Sequence, residues 1–347
     1  MELIIKGTAN KHVFSIRTDD FIKRQTSLLS KVTNLPDCII IIRADIIVTD
    51  TLLTWLAGNG PSLITSSAGE SLIACAQLAD KEVIIQAFNA PDKTSQNVKR
   101  YTSGQSEFFA RKLRRREPLT VYDLNTQDKK SVEKVLFNLS YKGITDCVTK
   151  YIFPLPTWHL VRVLSAVKVT PNMVTAVGIV LCIASAILFY KGQIGWALVA
   201  GWIMTFLDTV DGKLARVTAT SSEIGNILDH GMDMIHPPIW WAAIGFYLLG
   251  STNGDSKYFI ISMIVLLATY LIGRLGETSF KKSFGFNAYM WTPFDSYLRL
   301  IIARRNLILL ILTGGFLLQA FEQSYHPRRP MGRSHNRHCT NVPLRSG

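Results

Sequence analysis

Residues 171–217 read PNMVTAVGIVLCIASAILFYKGQIGWALVAGWIMTFLDTVDGKLARV. Two apolar runs, separated by Lys191-Gly192-Gln193, end in a knot of two aspartates, a lysine and an arginine. Neither run shows the strict alternation of a half-buried strand. Each is about the shortest helix able to cross a hydrocarbon core of about 30 Å. Charged groups at membrane depth are costly, so carboxylates at the end of such a run call for a function. The stretch therefore makes the C-terminal half a helical membrane domain.

Working outward, five spans are predicted, at 173–190, 195–211, 232–249, 258–272 and 307–321. Residues 1–160 instead alternate short apolar runs with charged ones, as a soluble domain does. The fold class expected is an α/β soluble N-terminal domain followed by an all-α polytopic membrane helix bundle. Domain limits are set at 1–137, 138–321 and a basic, disordered tail at 322–347, rich in arginine. Basic residues collect in the connections after the second span (Lys213, Arg216) and after the fourth (Arg274, Lys281, Lys282, Arg299, Arg304, Arg305). The positive-inside rule puts those connections and the N-terminal domain on the cytosolic side of a multi-pass cell-membrane protein. The arginine-rich tail then falls on the far side, against the same rule. The first thirty residues carry no apolar signal-like stretch.

The formal net charge is +13. A balance this basic suits nucleic acid, anionic headgroups or phosphorylated substrates. No nucleic-acid motif accompanies it, so membrane lipids and phosphate compounds are the expected partners. Cys38, Cys75, Cys147, Cys182 and Cys339 make no CxxC or metal-ligand spacing.

Chemistry concentrates in Asp208-Thr-Val-Asp211-Gly212-Lys213-Leu214-Ala215-Arg216, followed after eight residues by Gly225-Asn-Ile-Leu-Asp229-His230-Gly-Met-Asp233. Spacings of three and four put each aspartate pair on one helix face. At an effective dielectric of about 20, two like charges about 4 Å apart repel by about 4 kcal/mol. Divalent cations remove that cost, and carboxylate oxygens suit Mg²⁺ or Mn²⁺. Gly212, Ala215 and Gly225 leave room for a ligand or a neighbouring backbone. His230 and His236 are read as bystanders to an all-carboxylate site.

This spacing, D-x2-D-G-x2-A-R-x8-G-x3-D-x3-D, resembles the signature of the CDP-alcohol phosphatidyltransferases, with every fixed position filled. Eight fixed residues would match by chance at roughly one in a billion per start position. The resemblance covers about 138–321, and the family core has six spans against the five counted. It implies an enzyme that moves a phosphoalcohol group from a CDP-alcohol, such as CDP-diacylglycerol, to a hydroxyl acceptor with release of CMP. It implies two metals, Mg²⁺ or Mn²⁺, on Asp208, Asp211, Asp229 and Asp233, with Asp233 as general base. Gly212, Ala215, Arg216 and Gly225 would line the nucleotide site, and Asn172 the substrate cavity. Arg299, Arg304 and Arg305 are candidates for an acceptor phosphate, and a homodimer is among the arrangements to test. A membrane scaffold or pseudoenzyme is the competing reading.

In the N-terminal half, strands are expected at 38–43, 61–66 and 72–76 and helices at 19–32 and 49–56. The run Ile39-Ile-Ile-Ile-Arg43-Ala44-Asp45 resembles the metal-binding strand end of nucleotidyltransferases. Some relatives carry such a domain to make the CDP-alcohol, as in the bifunctional di-myo-inositol-phosphate-phosphate synthases. Here the glycine-rich nucleotide loop is absent, which implies a degenerate domain; an active one would make the protein bifunctional. Residues 111–116, with five positive charges, suit anionic headgroups.

Overall fold

The computed structural model describes residues 2–7, 12–32, 37–93, 97–110, 115–125, 127–141, 145–220, 223–251, 256–301 and 305–325. The side chains of Asp229, His230 and Asp233 lie outside that description, as do Arg304, most of the basic run 111–116 and the tail from 326.

Five strands form one mixed sheet: β1 (Glu2–Lys6), β2 (Cys38–Arg43), β3 (Ser62–Thr65), β4 (Ser71–Gln77) and β5 (Lys99–Thr102), in the order β1-β2-β4-β3-β5. β1 runs parallel to β2 and β3 parallel to β5, while β4 is antiparallel to both its neighbours. The isoleucine run of β2 has no polar face because both its faces are covered. Ile40 and Ile42 pack with Ile22 of α1 (Thr18–Val32) and with Leu52, Leu53 and Leu56 of α2 (Asp50–Ala57). Ile39 and Ile41 pack on the other side with Ile84 and Ala87 of α3 (Lys81–Asn89). Thr49 caps α2 by accepting from the Leu52 amide at 3.3 Å. The strands and helices expected here form within a residue or two of their predicted limits.

The chain then turns helical: α4 (Lys129–Leu139), α5 (Pro154–Ala166), α6 (Pro171–Tyr190), α7 (Ile194–Val217), α8 (Glu223–Ser251), α9 (Ser256–Phe284), α10 (Pro293–Ile301) and α11 (Arg305–Tyr325). Among the described residues, four stretches are long and apolar enough to cross a membrane: α6, α7, 257–284 and 293–320. The five helices expected as spans all form, but the span at 232–249 is not among these four. It is part of a 29-residue α8 with a polar first half and Pro237 and Pro238 inside it. α7 runs six residues past the expected span end at Asp211. Gly201 brings helices together: a Cβ there would stand 3.1 Å from Trp240 and 3.2 Å from Leu309. The Trp240 indole donates to the Cys182 carbonyl at 3.1 Å, and Trp202 to Thr313 Oγ1 at 3.0 Å.

The expected boundary at Phe137 falls inside α4, and the two halves share a core. Val13, Phe14, Phe21, Leu124, Leu136 and Phe137 from the N-terminal side pack with Val161, Val174, Val210, Leu214 and Val217 of α5, α6 and α7. Polar contacts reinforce this seam. The Phe14 amide donates to Glu133 Oε1 at 2.9 Å, Ser165 Oγ donates to the Phe14 carbonyl, and Lys213 Nζ donates to the Ser140 carbonyl at 3.1 Å. The extra turns of α7 are thus buried in protein.

Phe14 and Ser15 link two short antiparallel strands, with φ of 46° and 59°. Two positive φ values in a two-residue hairpin loop mark a type I′ turn, which normally takes Asn or Gly. Neither residue is suited to it, and the cost is about 1–2 kcal/mol each. Burial of the Phe14 ring, edge-on to Trp158 at 6.0 Å, offsets that cost. Ser15 is exposed and gains nothing in return. Ser15→Gly should therefore stabilise the chain by about 1 kcal/mol, whereas Phe14→Ala should cost about 3–5 kcal/mol. Thermal melts of the full chain in detergent check both signs.

Candidate active site

The site begins on α7, where Asp208 and Asp211 line one cleft with Met204. α6 supplies Thr175, Gly178 and Ile179, and α8 supplies Met232, one residue before Asp233. The cleft is narrow and half open to its surroundings. Thr170 and Pro171 explain why α6 starts where it does. The Thr170 hydroxyl accepts from the Met173 amide at 3.4 Å, and proline occupies the first turn, where its missing N–H costs nothing. Thr175 then falls one turn in, and its hydroxyl donates to Asp211 Oδ2 at 2.6 Å.

Asp211 is only 5% exposed, so its carboxylate has little water to stabilise it. Asp208 is more open and forms an ion pair with the guanidinium of Arg305, from the first turn of α11. A buried polar lock holds that turn. Asn306 Nδ2 donates to Asp146 Oδ1 at 3.0 Å and to Thr149 Oγ1 at 3.1 Å, and Thr149 Oγ1 in turn donates to Asp146 Oδ2 at 2.8 Å.

The nucleotide-side residues also sit on α7. Arg216 is exposed and folds back over Gly212, where a Cβ would come within 3.3 Å of its Nη2. Lys213 is 3% exposed, with Nζ 3.0 Å from the Tyr141 ring centroid. Burial pushes the Tyr141 phenol up to about 12. Ala215 follows on the same helix, Gly225 stands in the first turn of α8, and Asn172 is exposed in the first turn of α6. Arg299 is held elsewhere: it pairs with Glu277 of α9 at 3.3 Å and lies over the Tyr289 ring at 3.6 Å. His236 is buried, with Nδ1 2.6 Å from the Met232 carbonyl.

Does this geometry suit divalent cations? Two carboxylates share a cleft, one of them already draws a cation, and Gly178 opens space in which a Cβ would meet nothing within 4 Å. The donor set is hard oxygen throughout, as Mg²⁺ or Mn²⁺ requires. Among the described residues no three metal-ligating side chains converge. Asp229 and Asp233 stand on α8 beside the cleft-lining turn, with their side chains outside the description.

Residues 168–320 match the family model of the CDP-alcohol phosphatidyltransferases. Over those residues the membrane half is similar to a CDP-alcohol phosphatidyltransferase domain. The chain is 29% identical over 122 residues to a phosphatidylinositol phosphate synthase of Corynebacterium glutamicum, covering 34% of this chain and 56% of that one. An archaetidylinositol phosphate synthase of Pyrococcus horikoshii is 29% identical over 120 residues, covering 34% and 58%. Choline/ethanolaminephosphotransferase 1 of Arabidopsis thaliana is 31% identical over 112 residues, covering 29% and 28%. The chain thus spans little more than half the length of these relatives, or less.

Within this domain, Thr175 and Gly178 went unnoticed in the sequence, since both look like ordinary small residues of an apolar helix. The one available signal was their spacing from Thr170-Pro171-Asn172, which puts them a turn or two below the helix start. Thr175→Val removes the donor to Asp211 while keeping the shape. It should raise the Mg²⁺ concentration for half-maximal transferase activity roughly 10-fold, with Thr175→Ser near wild type. A titration of activity against Mg²⁺ reads this out.

Proposed function

We propose that this protein transfers a phosphoalcohol group from a CDP-alcohol to a hydroxyl acceptor and releases CMP. The observation that carries the reading is the placement of Asp208 and Asp211, the first two carboxylates of a complete signature, side by side in one cleft of the membrane domain. Asp208, Asp211 and Asp229 would hold two divalent cations, with Asp233 contributing to the same set. Bound there, the cations would neutralise the diphosphate and the charge that develops as the P–O bond to CMP breaks.

The remaining chemistry belongs to side chains of this chain. Asp233 is assigned as the base that takes the acceptor's hydroxyl proton while the oxygen attacks the alcohol-side phosphorus. Thr175 orients Asp211 through the hydrogen bond it donates. Arg216, exposed beside Gly212, is available to a phosphate oxygen of the nucleotide. Arg305 sits at the same cleft through Asp208 and is better placed than Arg299 for an acceptor phosphate. The basic connections after α7 and α9 support a cytosolic site in a cell-membrane protein. The relatives' names divide between inositol-phosphate and choline or ethanolamine compounds, so a screen of acceptors with CDP-diacylglycerol and of CDP-alcohols with diacylglycerol names the substrates.

Purified protein should release CMP only with Mg²⁺ or Mn²⁺, and EDTA should abolish the activity. Asp233→Asn should keep CDP-alcohol affinity and lose roughly 100-fold or more in turnover, whereas Asp208→Asn should lose metal binding itself. Full activity in chelator would sink the reading.

For the N-terminal region we infer a supporting role without catalysis. Asp45, at the end of β2, is occupied by a neighbour: the Arg43 guanidinium pairs with Asp45 at 2.6 Å, with Glu70 at 2.9 Å and with Asp123. No glycine-rich loop precedes these acids to cradle a triphosphate, and that missing loop carries the reading. The full chain should make no CDP-alcohol from CTP and a phosphoalcohol. Steady CTP-dependent pyrophosphate release, abolished by Asp45→Asn, would make the protein bifunctional.

A further inference from the structure

α10 is amphipathic in the wrong sense for a helix on a protein facing water. Phe294, Tyr297, Leu298 and Ile301 recur at i, i+3, i+4 and i+7, and all four are exposed, three of them by 61–71%. Its polar residues turn toward the protein. Asp295 accepts from the Thr292 hydroxyl at 2.7 Å, Ser296 Oγ donates to the Tyr289 carbonyl at 3.0 Å, and Arg299 is held by Glu277 and the Tyr289 ring. We propose that α10 lies flat on the membrane, with its apolar stripe in the interfacial layer of the bilayer.

The occupant follows from α9. That helix is about 43 Å long, well beyond the hydrocarbon thickness. Its apolar stretch ends at Gly273, and Arg274, Glu277, Lys281 and Lys282 follow. No described residue of 257–284 is fully buried and the stretch is long and apolar enough to cross a membrane, so lipid would cover its apolar part. Glu277 therefore stands just past the edge of the hydrocarbon. Because Arg299 pairs with Glu277, α10 is pinned at that level.

An aromatic cluster marks the same depth. Phe280 packs against Phe284 at 4.5 Å, Phe286 at 5.4 Å and Trp291 at 5.6 Å, and Trp291 is 68% exposed. Tryptophan and tyrosine favour the headgroup boundary, where one part of the ring is wet and the rest dry. Lys281 and Lys282, exposed in the last turn of α9, suit lipid phosphates at that boundary.

The test uses the full chain in vesicles of equal phosphatidylcholine and phosphatidylglycerol, with Cys147→Ser and Cys339→Ser leaving only buried native thiols. A single environment-sensitive fluorophore is attached at Phe294→Cys or Tyr297→Cys, and at Glu82→Cys on α3 as a water-exposed control. Lipids carrying a nitroxide near the ester end should quench the α10 positions about twofold or more above the α3 label, and iodide should quench them less. Stronger quenching from nitroxides at the chain middle would put α10 inside a span and overturn the proposal. Iodide access equal to that of the α3 label would leave it in water, and shielding from both quenchers would mean that another protein surface covers it; either result also overturns the proposal. If the labelled chains do not fold, the wild-type fluorescence minus that of Trp291→Phe, quenched by lipids brominated near the ester end, decides the same question.

Discussion

A nearly buried carboxylate governs the arrangement of the membrane half. Asp211 has lost most of its water, and Asp208 stands one helical turn away on the same face of α7. Two such charges in a poorly solvated seam need donors and cations, and the neighbouring elements provide them. α6 begins at a capped proline turn that puts Thr175 within reach of Asp211. α11 begins at a turn fixed by the Asp146–Asn306 lock, which brings Arg305 to Asp208. Both compensations come from within about a turn of a helix start, where caps specify the helix most tightly. Keeping two carboxylates in this seam costs desolvation that apolar residues would not. That cost supports the proposed role of the pair in the reaction.

The same helix ties the two halves of the chain together. Beyond Asp211, α7 carries Leu214 and Val217 into a core completed by Phe14, Phe21, Leu136 and Phe137 from the N-terminal side. Lys213, between them, is fixed by the Ser140 carbonyl and the Tyr141 ring. A cationic side chain this well buried would be expensive without such partners. The helix end that presents Arg216 is accordingly braced by residues next to α4, which gives the N-terminal region a physical role at the site.

Much of this was legible in the sequence for definite reasons. β2 and β4 stand out as short apolar runs bounded by turn residues, and α1 and α2 as periodic runs, so their limits were read closely. The signature spacing alone located Asp208 and Asp211 on one helix face. What escaped depends on long-range contact. Nothing local distinguishes Thr175 from other threonines in apolar helices, and Arg305 looked like one of several basic residues near a span. The extension of α7 past Asp211 was hidden because charged residues there suggested a helix leaving the membrane. They mark instead a helix entering a second, protein-built interior. The boundary at Phe137 followed composition, which changes near that point, while the packing runs straight across it.

The shared core sets an order of events during synthesis. Phe14 and Phe21 emerge from the ribosome well before Val210 and Leu214, their partners on α7. The sheet and the helix residues packed on its two faces can form first, since those two clusters lie between Ile22 and Val121. The face around Phe14 cannot, because its cover comes first from α4 and α5 and is completed only by α7. For the interval in which α5, α6 and α7 are made, the N-terminal region waits with an apolar flank uncovered. Completion of its surface is thereby coupled to insertion of the membrane half.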